Sequence, residues 1–108
     1  MDTKDIPDTP ASYWRREPSE QLNAVIGKLG EEAAELASRC CRCMIQGTYE
    51  LDPGDERTNM AHLQDEMADV YAMLKLVERF SHADREAIEI RRDRKYVYKL
   101  PWLKALLR

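Results

Sequence analysis

The sequence has no apolar run near the roughly 18 to 20 residues that a membrane-spanning helix needs, so no membrane partner is expected. Its first residues, MDTKDIPDTPASYW, are acidic and interrupted by prolines, with no apolar core. They do not read as a secretory leader, and a cytoplasmic location is the expectation. Cysteine is scarce and odd in number. Cys40, Cys41 and Cys43 stand together inside a helical pattern, which excludes an internal disulfide framework. The Cys40–Cys43 spacing would suit a redox or metal pair, but no second pair exists, and small buried helix residues are expected instead. Of the two histidines, His62 and His82, neither has a partner at a recognisable spacing. A serine or cysteine nucleophile constellation is therefore unsupported, and both are read as ordinary surface residues. An excess of basic charge is also missing. The net charge is −3, whereas a nucleic-acid polymer would call for a broad basic surface. Strand patterning is confined to the short run YVYKL at 96–100, and there is no internal repeat.

What is present is helical periodicity. The 108 residues allow one domain and one core. Residues 1–18, with Pro7, Pro10 and Pro18 around Tyr13 and Trp14, predict an irregular arm anchored to the body by its aromatics. Ser19 is a good N-cap, and the spacing predicts a first helix from there to about Gln46, stopped by Gly47. Its apolar stripe is Leu22, Val25/Ile26, Leu29, Ala33, Leu36, Cys40 and Cys43/Met44. The segment GTYELDPGDER at 47–57 is a turn-rich loop with its strongest signal at Asp52-Pro53-Gly54-Asp55. A second helix is predicted from Thr58 or Asn59 to about Phe80. A third is capped by Ser81, with Asp84 at its third position. It reaches about Tyr98, and after an interruption at Pro101 the tail PWLKALLR opens a further turn.

The chemistry-bearing residues are acidic pairs at helical spacing. Glu32 and Glu35 stand three apart on the first helix, on a flank shared with Lys28 and Arg39, while Glu31 points away from it. Glu66 and Asp69 repeat the spacing on the second helix. There, one apolar side is Met60, Leu63, Met67, Val70, Tyr71 and Leu74, and another, continuing the line of the acids, is Met73, Leu76, Val77 and Phe80. A lone carboxylate in such a setting is costly. Four carboxylates brought together from two helices repel, and a hard cation such as Mg²⁺ with oxygen ligands resolves that repulsion. Glu and Asp also populate solvated helix faces, where Lys28–Glu32 and Glu35–Arg39 would be ordinary supporting pairs.

The strings KLGEEAAEL and DEMADVYAML resemble the all-alpha nucleoside triphosphate pyrophosphohydrolases, the superfamily of MazG-like proteins, dimeric dUTPases, dCTP pyrophosphatases and phosphoribosyl-ATP pyrophosphohydrolases. The likeness covers roughly residues 22–80. Its pattern is E-E-x-x-E on one helix, met by Glu31, Glu32 and Glu35, then E-x-x-D on the next, met by Glu66 and Asp69. The resemblance implies a single all-alpha MazG-like domain at 19–108. It also implies Mg²⁺-dependent cleavage between the α and β phosphates to give a monophosphate and pyrophosphate. By the same resemblance Glu32, Glu35, Glu66 and Asp69 are the metal ligands, and Glu31 is a further acidic member of the catalytic group. The chain lacks the asparagine that many MazG-like proteins carry after the second pair.

Triphosphate binding needs positive charge near the metal, for which Lys28, Lys75, Arg91, Arg94 and Lys95 are the candidates. Tyr13, Trp14, Tyr49, Tyr71 and Tyr96 are the aromatic candidates for the base. Three helices cannot cover both apolar faces of the second, so an antiparallel helical bundle completed by homo-oligomerisation, as a homodimer or homotetramer, is expected. Two alternatives to a nucleoside triphosphate enzyme stay open: phosphoribosyl-ATP hydrolysis by the same chemistry, and a catalytically silent helical dimer that binds nucleotide or protein.

Overall fold

The computed structural model describes residues 14–107. Three helices run in order: α1 at Glu20–Gln46, α2 at Asn59–Phe80 and α3 at Arg85–Leu106. No strand occurs among the described residues beyond one isolated bridge between Leu51 and Thr58. No helix is long and apolar enough to cross a membrane.

Each helix start follows from a local side-chain acceptor. Ser19 Oγ accepts from Leu22 N at 3.1 Å, and Thr58 Oγ1 accepts from Ala61 N at 3.0 Å, satisfying amide groups that a first helical turn leaves unpaired. α1 ends at Gly47, whose φ of 104° is open to glycine and strained for other residues. For α3 the cap is Asp84, accepting from Ala87 N at 3.1 Å, and not Ser81 as expected. Ser81 instead closes α2 and accepts from Ala83 N. α3 also runs through Pro101 without a break. The proline forfeits one backbone hydrogen bond, but the helix is exposed along its length, so water can satisfy the freed carbonyl. The tail around it is rich in leucine, lysine and alanine, which favour helix.

α1 and α2 form an antiparallel hairpin. The least exposed positions of α1 include Leu22, Val25, Leu29, Glu32, Leu36, Arg39 and Cys43, and those of α2 include Asn59, Leu63, Glu66, Val70, Met73 and Val77. Both series alternate steps of three and four, the signature of a two-helix seam. This corrects the expected stripe on α1. Glu32 and Arg39 lie in the seam, while Ala33 and Cys40 are exposed. Of the three cysteines only Cys43 is buried.

Outside the seam the molecule is apolar and open. Among the described residues Cys43 is the one buried apolar side chain, whereas Met44, Ile45, Tyr71, Leu74, Trp102 and Leu106 are exposed. No residue of α3 is buried. The radius of gyration is 19.4 Å, against about 13 Å for a compact chain of similar length. Trp14 is 95% exposed rather than docked on the body, and Tyr13 lies outside the described residues.

Candidate metal centre

Two polar layers cross the α1–α2 seam, about two helical turns or ~10 Å apart by residue rise. On α1 they are marked by Glu32 and Arg39, and on α2 by Glu66 and Asn59. Each pair is seven residues apart, so antiparallel packing sets Arg39 against Asn59 and Glu32 against Glu66.

The Arg39 layer is internally satisfied. Arg39 Nη1 donates to Asp52 Oδ2 at 2.8 Å and to Asn59 Oδ1 at 3.0 Å. Arg42 reaches the same Asp52 oxygen at 3.1 Å, and Gly54 N donates to Asp52 Oδ1 at 2.8 Å. These donors, the Arg39 guanidinium first, hold the Asp52 carboxyl down to about 2. Asn59 is fully buried. Its amide donates to the Gly47 carbonyl at 2.9 Å, and its backbone N–H to the Glu50 carbonyl at 3.0 Å. The loop, the end of α1 and the start of α2 are thus fastened at one point. His62 belongs to the rim of this layer, with Nε2 2.8 Å from Asp55 Oδ2. It is mostly covered rather than a free surface residue, while His82 is exposed. The hydrogen bond from His62 is the main cause holding the Asp55 carboxyl below its ordinary range.

The Glu32 layer is the opposite case. Carboxylate oxygens of Glu32, Glu35 and Glu66 lie within 4.8 Å of one another, a grouping that could hold a metal ion. Glu32 is buried and Glu66 partly so. One oxygen of each, Glu32 Oε2 and Glu66 Oε2, is buried with no hydrogen-bond partner. Burial, followed by the charge of Glu35, pushes the Glu32 carboxyl up, and Asp69 adds to the rise from one turn beyond Glu66. Among the described residues the cation paired with this layer is Lys28, 3.4 Å from Glu31 Oε2 and 3.5 Å from Glu32 Oε1. The expected Glu35–Arg39 pair is replaced by the bonds of Arg39 to Asp52 and Asn59.

A hydrogen-bond donor or a cation is what such a site lacks. Oxygen-only donors, clustered and carrying net negative charge, fit a hard divalent cation. A second grouping, Asp52, Asp55 and His62, also brings donor atoms within 4.8 Å. There the Asp52 oxygens are already engaged by two guanidinium groups and a backbone amide.

Of the other cations singled out in the sequence, Lys75 lines a cleft of about 350 Å³ between α2 and α3 with Tyr71, Arg85 and Arg92. Arg91, Arg94 and Lys95 line another of about 390 Å³ along α3, with Tyr98, Lys99 and Trp102. Among the described residues Lys28 alone of the five is paired with the acid layer. Arg39, Asp52, Asn59 and His62 were not singled out by motif. The signal for two of them was available, since Arg39 and Asn59 each stand seven residues from an acid already identified. Compared with family models, curated proteins and solved structures, the chain matches none.

Proposed function

We propose that the chain is a Mg²⁺-dependent nucleotide pyrophosphohydrolase that cleaves the α–β phosphoanhydride of a nucleoside triphosphate. The observation that carries this reading is the unneutralised acid layer, with two buried carboxylate oxygens, Glu32 Oε2 and Glu66 Oε2, left without a partner beside Glu35. The resemblance of residues 22–80 to the all-alpha pyrophosphohydrolases, carried by these same acids and Asp69, suggested the reading from sequence.

Glu32, Glu35 and Glu66 would hold the cation, with Asp69 completing the set. When bound, Mg²⁺ supplies neutralisation of phosphate charge and polarisation of the phosphoryl group. The chain's own residues do the rest. Glu31, outside that trio, orients water and takes its proton as oxygen attacks the α-phosphorus. The bond from the α-phosphorus to the bridging oxygen breaks, pyrophosphate leaves and a nucleoside monophosphate remains. Lys28, already between Glu31 and Glu32, attracts the polyphosphate to this edge. Lys75, Arg91, Arg94 and Lys95 bind its outer phosphates.

A homodimer or homotetramer is part of the proposal. Its support is the apolar surface left open on α2 and α3, where Tyr71, Leu74, Ile88, Trp102 and Leu106 are exposed. An assembly would cover that surface and bring α3 cations of one copy toward the acid layer of another.

The test is phosphorus NMR of a panel of ribo- and deoxyribonucleoside triphosphates and phosphoribosyl-ATP, with and without Mg²⁺, beside Glu35→Gln. Metal-dependent appearance of monophosphate and pyrophosphate, lost in the variant, is the expected result. Release of diphosphate and inorganic phosphate, or no turnover by folded protein, would contradict it.

A further inference from the structure

The Arg39 layer poses a question that the acid layer does not answer. A buried, hydrogen-bonded ionic group is a poor way to stabilise a helix seam, since apolar residues of similar volume commonly do as well or better. Leucine at 39 and 59 would continue the pattern set by Leu36 and Leu63. What a buried polar contact supplies in a helix pair is register, because only one alignment pairs its donors and acceptors. Register matters here. Glu32 and Glu66 repel, and in a uniformly apolar seam the two helices could slide or spread to separate them.

Resting on the reading of the acid layer as a metal centre, we propose that Arg39 and Asn59 are positioning residues that hold Glu32, Glu35 and Glu66 in register for the cation. The clamp lies about two turns from Glu32 and Glu66 and about one turn from Glu35, so each link to them is a stretch of continuous helix. It fixes α1 to α2 through Arg39–Asn59 at 3.0 Å and fixes both to the loop through Asp52 at 2.8 Å and the Gly47 carbonyl at 2.9 Å. A displacement of one helix against the other must break several of these bonds together. The clamp therefore opposes the repulsion of the acid layer before any cation binds, and metal affinity falls when it is removed.

The test is Mn²⁺ binding to the full chain, read by electron paramagnetic resonance, alongside urea unfolding. Arg39→Leu/Asn59→Leu leaves the buried Asp52 carboxylate with Arg42 as its one guanidinium partner, so stability is expected to fall. In protein that urea unfolding shows to be folded, Mn²⁺ affinity should drop about tenfold or more, the range seen when outer support of a metal site is lost. Turnover at saturating metal should fall far less than affinity. Arg39→Lys, which keeps a donor in the layer, should recover most of the affinity. Cys43→Ala, which loosens the seam without touching the clamp, should leave it unchanged. Should the double variant not fold, Asn59→Ser reads the same quantity. Wild-type affinity in the folded clamp variants would overturn the inference, and so would an equal loss in Cys43→Ala. Absence of Mn²⁺ binding by the wild type would overturn it together with the metal reading. Metal binding without pyrophosphate release would contradict the proposed activity and leave the clamp standing.

Discussion

Arg39 on α1 and Asn59 on α2 meet through a 3.0 Å hydrogen bond, and among the described residues Asn59 is the side chain wholly removed from solvent. The asparagine amide also reaches back to the carbonyl that ends α1. Asn59→Ala takes one of two acceptors from the guanidinium, which keeps Asp52, and one of two donors from the carbonyl, which keeps Glu50 N. Unfolding in urea should show a loss of about 2 kcal/mol, the order expected for lost hydrogen bonds, one of them to a charged group. The companion change at Arg39 should then cost much less in the Asn59→Ala background than alone, because the two share one interaction.

Acid should act on the same layer through Asp52. Its folded-state carboxyl sits at about 2, below the ordinary 3.8. The carboxylate thus contributes stability that is fully present above the ordinary value, declines below it and is lost as the pH falls through about 2. The stability difference between wild type and Asp52→Asn should be constant from neutral pH down to about 4 and vanish toward 2. A difference unchanged over that range would show that the Arg39 and Arg42 contacts contribute nothing.

Glu32 has the opposite sign. Its carboxyl is raised by burial and by Glu35, so the folded state holds the proton more firmly than the unfolded chain. The metal-free protein should lose stability as the pH rises from the ordinary 4.5 through the raised value. Mg²⁺ competes for the deprotonated form. The rise in melting temperature on adding Mg²⁺ should therefore grow with pH across that window, and Glu32→Gln should flatten it.

These layers were legible in the sequence to different degrees. The first two helices could be read from caps and periodicity, because Ser19, Gly47 and Thr58 act on their immediate neighbours. The acids could be read because E-x-x-E and E-x-x-D put carboxylates on one helix face. The latch could not, since Asp52 reaches Arg39 across a loop whose path no local rule sets. The capping group of α3 was misplaced by three residues because Ser81 and Asp84 are both competent caps. Its passage through Pro101 was missed because an interior proline ordinarily costs both a hydrogen bond and a ring clash with the preceding turn, and no local rule marks where a helix is sustained across it. The apolar pattern on α2 did foretell too little cover for its faces, and the exposure of Met67, Tyr71 and Leu74 agrees.

That exposed stripe gives a prediction about assembly. Met67, Tyr71 and Leu74 follow one another at helical spacing on α2, exposed although Tyr71 and Leu74 also line the open cleft toward α3. Light scattering of the purified chain should report a dimer or tetramer at micromolar concentration. Leu74→Glu should shift it toward monomer and lower the melting temperature by several degrees. A stable wild-type monomer would leave the apolar surface without an occupant.

The carboxylate layer between α1 and α2, with Lys28 paired at its edge and two buried oxygens unpartnered, is proposed as a site for a divalent cation. Calorimetric titration of Mg²⁺ into wild type and into Glu32→Gln/Glu66→Gln tests it most directly. Wild type should bind, while the double variant should lose binding yet melt higher than metal-free wild type, because the repulsion between the helices is gone. Equal Mg²⁺ binding by both proteins would contradict the account.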